Sequence, residues 1–119
     1  MMKRTTFVLL FAAIVAVLLT VGCARTLRND LLRLGFKASE NELWDEALLR
    51  WEKAVEIAPR SVSAHNNLAV AYEKKGRWED ARREYGKALE LDPSNTSVQY
   101  NFDRFQENMD AWKEADEKK

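Results

Sequence analysis

The apolar positions fall into three patterns along the chain. From Thr5 to Ala24 no residue is charged, and Phe7 to Val21 (FVLLFAAIVAVLLTV) is apolar almost throughout. A run of that length, helical, is long enough to cross a bilayer. Beyond Arg25 the apolar residues recur at helical spacing instead. Ala47, Trp51 and Ala54 stand at i, i+4 and i+7, and Ala81, Tyr85 and Ala88 repeat that spacing. Each set predicts one helix face on which small residues admit a neighbouring helix and an aromatic ring fills the remaining volume. Finally, Val98, Phe102, Phe105, Met109 and Trp112 advance by steps of 4, 3, 4 and 3, predicting one amphipathic helix that fades into the charged tail KEADEKK.

The middle pattern has a period of 34. Leu34 pairs with Leu68, Trp44 with Trp78, Ala47 with Ala81, Ala54 with Ala88 and Pro59 with Pro93, while Gly35/Ala69 and Trp51/Tyr85 are conservative pairs. Such a period is the signature of stacked helical hairpins. Gly76 sits where a helix must end and reverse, and Pro59 and Pro93 stop the second helix of each pair. On these residues the chain resembles the tetratricopeptide repeat (TPR) family, with one copy over 28–61 and a second over 62–95. The second copy carries Leu68, Ala69, Tyr72, Gly76, Trp78, Ala81, Tyr85, Ala88 and Pro93 on signature places. The first departs more: Leu31, Ala38 and Glu42 stand where the family has Trp, Tyr and the turn glycine. The resemblance implies an all-α fold of two TPR hairpins, with residues 96–119 forming a capping helix and charged tail that close the open end of the array.

The N-terminal segment reads as an address. Lys3 and Arg4, an apolar core and small residues after it describe a secretory signal, with the basic start held in the cytoplasm and the remainder exported. The Gly22-Cys23 junction resembles a bacterial lipoprotein signal, although Thr20 occupies the place where leucine is favoured. That resemblance implies a signal peptide over 1–22, a Cys23 acylated with fatty acid such as palmitate, and a short tether over 23–27. Extended, the tether reaches about 14 Å, which holds the module against the bilayer. Ala24 after the cysteine implies a cell outer membrane location facing the periplasm. The other reading is an uncleaved transmembrane helix anchored in the inner membrane. Both put the domain outside the cytoplasm.

Composition removes several functions. Lys+Arg and Asp+Glu number 19 each, so there is no basic surplus for nucleic acid. One cysteine and one histidine form neither an internal disulfide nor a zinc cage. Among the four glycines there is no phosphate loop. His65 is flanked by Asn66 and Asn67 but has no nucleophile placed beside it, and is expected to pack inside its helix. Asp45-Glu46 and Glu79-Asp80 begin second helices, where the helix dipole favours carboxylates. No catalytic, cofactor or metal site is expected.

Binding is the better candidate. In TPR proteins the first helix of each hairpin lines a concave face that contacts peptides or partner helices. Carried over, that face offers Asn29, Leu32, Arg33 and Phe36 from the first repeat. It adds Asn66, Asn67, Val70, Glu73 and Lys74 from the second, and Tyr100, Asn101 and Arg104 from the last helix. Amides and guanidinium groups suit an incoming backbone, and the apolar members suit its side chains. Family members that clamp a C-terminal carboxylate do so with lysines, arginine and asparagines. Only Asn67 falls on that pattern, and Leu32 and Phe36 stand where lysine and asparagine belong, so that activity is not expected. The expected partner is an envelope protein or a peptide segment of one. Small TPR lipoproteins of this kind act as secretin pilots, barrel-assembly accessories or cell-wall enzyme adaptors. The alternative is a self-associating structural protein, a homodimer joined through the Phe102–Trp112 stripe or by hairpin exchange.

Overall fold

The computed structural model describes residues 3–118. These form five helices and no strand: α1 (Arg4–Glu40), α2 (Trp44–Ile57), α3 (Val62–Lys74), α4 (Trp78–Leu91) and α5 (Thr96–Glu117). The starts of α2 and α4 are 34 residues apart, as are those of α3 and α5, so the sequence period is the structural period. Helices α1 and α2 make one antiparallel hairpin, α3 and α4 the next, and α5 lies on the open side of the second.

Local signals set the boundaries. Pro59 follows the last turn of α2, where the Ala58 N–H still reaches the Ala54 carbonyl. Ser61 then caps α3 by accepting from the Ala64 N–H at 3.3 Å, and Asn95, its counterpart one period on, caps α5 by accepting from Val98 at 3.1 Å. At the reversal inside each hairpin the chain enters the left-handed region. Gly76 has φ of 70° and Glu42, one period earlier, has φ of 60°. The first hairpin therefore keeps the turn geometry without the residue that makes it easy.

Alanines form the seams. Ala47, Ala54, Ala64, Ala69, Ala81 and Ala88 are fully buried, and Trp51, Tyr85 and Phe105 fill the space between the helices. Helix α5 closes the array with the stripe read from its spacing. Phe105 lies 5.5 Å from the Tyr85 ring and 6.1 Å from Trp78, and Phe102 lies 5.8 Å from Tyr85. Val98, Phe105 and Met109 are thereby buried inside the chain, which spends on capping most of the surface that a dimer seam would need; Trp112 stays 50 % exposed.

In the uncleaved chain α1 runs 37 residues without a break from Arg4 through Cys23 into the first hairpin, so residues 23–27 continue the helix. No proline interrupts that span, and the Thr26 hydroxyl donates to the Gly22 carbonyl at 3.1 Å across the junction. The apolar half of α1 is exposed along its length, and the molecule is elongated, 79 × 29 × 20 Å.

Candidate functional site

The candidate surface is the layer made by α3, α5 and the second half of α1. Because these helices repeat at 34, their residues align in rows: Leu32, Asn66 and Tyr100 in one, Arg33, Asn67 and Asn101 in the next, and Phe36, Val70 and Arg104 in a third.

Three asparagines meet at the middle. Asn101 Nδ2 donates to Asn66 Oδ1 at 3.1 Å, and Asn66 Nδ2 donates to Asn67 Oδ1 at 3.4 Å. The chain of amides ends with Asn67 Nδ2 as a donor and Asn101 Oδ1 as an acceptor that have no side-chain or backbone partner among the described residues. A peptide backbone presents the complementary pair of groups.

Beside the amides lies a charged cluster. Glu73 accepts from the Tyr85 hydroxyl at 3.1 Å and from Asn108 Nδ2 at 3.3 Å, and pairs with Arg104 at 3.7 Å. Burial, with the Glu73 carboxylate next to it, pushes the Tyr85 hydroxyl well above its ordinary value, so it remains a donor. Arg104 is thus a half-exposed guanidinium already balanced by an acid.

The apolar members divide. Phe36 is 57 % exposed and Tyr100 68 % exposed, on the two outer helices of the layer. Leu32 and Val70 are half-buried and pack on the core, and the Leu32 carbonyl accepts from Trp51 Nε1 at 3.3 Å. Three polar residues of the expected set are drawn elsewhere. Lys74 lies over the Trp44 ring, 5.5 Å from its centroid. Asn29 accepts both guanidinium bonds of Arg28, at 2.9 and 3.1 Å. Arg33 pairs with Asp30 at 3.4 Å on its own helix. The layer thus combines Phe36, Tyr100, the three asparagines and Arg104, while Lys74, Asn29 and Arg33 lie outside that arrangement.

His65 packs inside the second hairpin as expected, with 3 % of its surface exposed, but it has a partner that sequence spacing did not supply. Its Nδ1 is 2.6 Å from Glu84 Oε2, and its Nε2 donates to the Pro59 carbonyl at 2.7 Å. An imidazole between two oxygens leaves the His65–Glu84 contact one shared proton. Glu84 also takes Lys87 at 3.2 Å and Arg83 at 3.5 Å. The signal for it was present: Ala81, Glu84, Tyr85 and Ala88 all fall on one face, with Glu84 the single charged member. With both ring nitrogens engaged, His65 is a strut and not a free base. No group of three or more His, Cys, Asp or Glu that could hold a metal exists among the described residues.

Comparison with known families agrees with the hairpin geometry. Residues 62–95 match the family described as tetratricopeptide repeat, and residues 41–76 match one described as TPR repeat. No curated protein matches the chain. The matched residues run from the turn before α2 through the loop after α4, leaving α1 and α5 outside. The departures at Leu31, Ala38 and Glu42 fall in or just beside that unmatched first helix. Residues 41–95 are tetratricopeptide-repeat sequence, the material of protein-interaction modules.

Proposed function

We propose that the chain is a non-enzymatic, membrane-tethered adaptor of the bacterial cell envelope. On the α1/α3/α5 layer it holds an extended segment of another envelope protein, and so assists assembly or localisation of a complex. The observation that carries this reading is the pair of exposed aromatics, Phe36 and Tyr100, flanking an amide chain with a free donor and a free acceptor. Amides of that kind take up a backbone, and exposed rings take up its apolar side chains.

The tether is the apolar half of α1 or a lipid on Cys23, an exposed thiol at the end of that stretch. Acylation at Cys23 after removal of residues 1–22 would put the module at the outer membrane, facing the periplasm. The unbroken course of α1 through Cys23 favours the second reading, an uncleaved helix in the inner membrane. Fatty-acid labelling of wild type and Cys23→Ala separates the two: label lost in the variant supports the lipid, and no label on either supports the helix.

The groove is tested by photo-crosslinkers placed at positions 36 and 100 in the living cell, followed by identification and purification of the captured protein. Phe36→Glu and Tyr100→Ala should each weaken binding of that protein by at least about tenfold, as loss of an aromatic anchor does. Helix content should stay unchanged. Wild-type binding by both variants would remove the groove from consideration.

A further inference from the structure

The arginines divide into two sets. Arg33, Arg50, Arg77, Arg82, Arg83 and Arg104 each make an ion pair with an acidic side chain. Arg4, Arg25, Arg28 and Arg60 make none among the described residues. Arg4 precedes the apolar stretch, Arg25 and Arg28 follow it on α1, and Arg60 stands in the turn after α2, lining a neighbouring cleft with Lys87 and Glu90. The C-terminus of α2 folds back onto α1 at that level, so that Val21, Ala24, Arg25, Arg28, Ile57 and Ala58 line a shallow cleft of about 180 Å³. Arg60 follows two residues later in the exposed turn before α3. The acids nearest in sequence are already taken, Asp30 by Arg33 and Glu56 by Lys53.

We infer that Arg25, Arg28 and Arg60 form a docking surface for the phosphates of anionic phospholipids, and that the first hairpin rests end-on against the membrane through it. The inference rests on the tether reading above and holds for either form of tether, because Arg25 and Arg28 lie just beyond Cys23 in both. The argument is one of position and charge. An apolar run entering a bilayer brings the residues that follow it to headgroup level, where anionic lipid in the facing leaflet attracts a nearby arginine. Guanidinium groups suit phosphate because they present forked donors and are weakly hydrated. Every arginine from Arg77 to Arg104 is paired with an acid, whereas the three at this end are not.

The test uses the full chain in lipid nanodiscs. In neutral phosphatidylcholine discs the protein should be retained; recovery in the soluble fraction would overturn the tether itself, and the docking surface with it. In discs containing phosphatidylglycerol the hairpins should melt about 5 °C or more higher than in neutral discs, since a ligand bound by the folded state alone raises its melting point. The rise should vanish in high salt and in Arg25→Gln/Arg60→Gln, two exposed positions whose variant should melt like wild type in neutral discs. Lys37→Gln, at the far end of α1, should keep it. Free inorganic phosphate should give no rise in neutral discs. Retention with identical melting in both lipids would overturn the docking surface while leaving the tether standing. So would a rise that survives in the double variant.

Discussion

The indole of Trp51 lies directly over Gly35, so closely that a Cβ at position 35 would overlap its ring. One period later the same pairing is Ala69 with Tyr85, both fully buried. The larger ring thus goes with the residue that has no side chain and the smaller ring with alanine, two divisions of a similar volume at equivalent positions of the repeat.

From this, Gly35→Ala should destabilise the chain by about 1–3 kcal/mol through overpacking. Adding Trp51→Tyr, which recreates the pair of the second repeat, should recover part of that loss. Thermal melts of the single and double variants in detergent measure the coupling. Additive effects would show that the two sites do not compete for space.

The hairpin turns supply a second prediction. Glu42 occupies the left-handed conformation that Gly76 occupies one period on, with φ of 60° against 70°. Glu42→Gly should stabilise the first hairpin by about 1 kcal/mol, and Gly76→Ala should destabilise the second by a similar amount. Nothing lies within 4 Å of a Cβ at Gly76, so its cost would be conformational alone. Melts that move together, in either direction, would contradict this.

Glu84 and His65 are unequal partners. Glu84→Leu strands a buried imidazole nitrogen and should cost about 1–3 kcal/mol. His65→Phe leaves Glu84 with Lys87 and Arg83 and should cost less, about 1 kcal/mol. Denaturant unfolding of the two variants decides the order.

Tyr72 gives a pH dependence. Burial, and then the hydrogen bond it donates to Glu52 at 3.0 Å, push its hydroxyl from 10.0 up to about 12. The folded form holds this proton more tightly than the unfolded chain. Its contribution is therefore complete below pH 10.0 and shrinks as pH rises towards about 12. Tyr72→Phe should lessen the fall in melting temperature across that window. An unchanged slope would assign the alkaline loss to other groups, with Tyr85 first among them.

The parts of the fold that local chemistry dictates were readable beforehand. Helices α2 to α4 end just before Pro59, Gly76 and Pro93 and are held by alanine faces. Each of these acts within a few residues of its own position. No helix breaker stands at Cys23, so α1 continues through 23–27 in the uncleaved chain. Phe36 and Tyr100, placed on the candidate face by resemblance to the family, are exposed in the structure. The remainder depended on partners distant in sequence: Lys74 on Trp44, Arg104 on Glu73, and Asn101 on Asn66. Composition could not have chosen these, because each residue has several acceptors within reach of its length and only the packed helices select one.

The unjointed α1 turns the apolar segment and the first repeat into a single shaft. Each residue of an α-helix advances the chain by about 1.5 Å and about 100°. Inserting one residue between Gly22 and Arg28 would therefore swing the whole module by nearly a third of a revolution about that axis. The compass bearing of Phe36 is geared to the rotation of the apolar segment, so any cargo gripped there would be steered by whatever sets that segment's orientation.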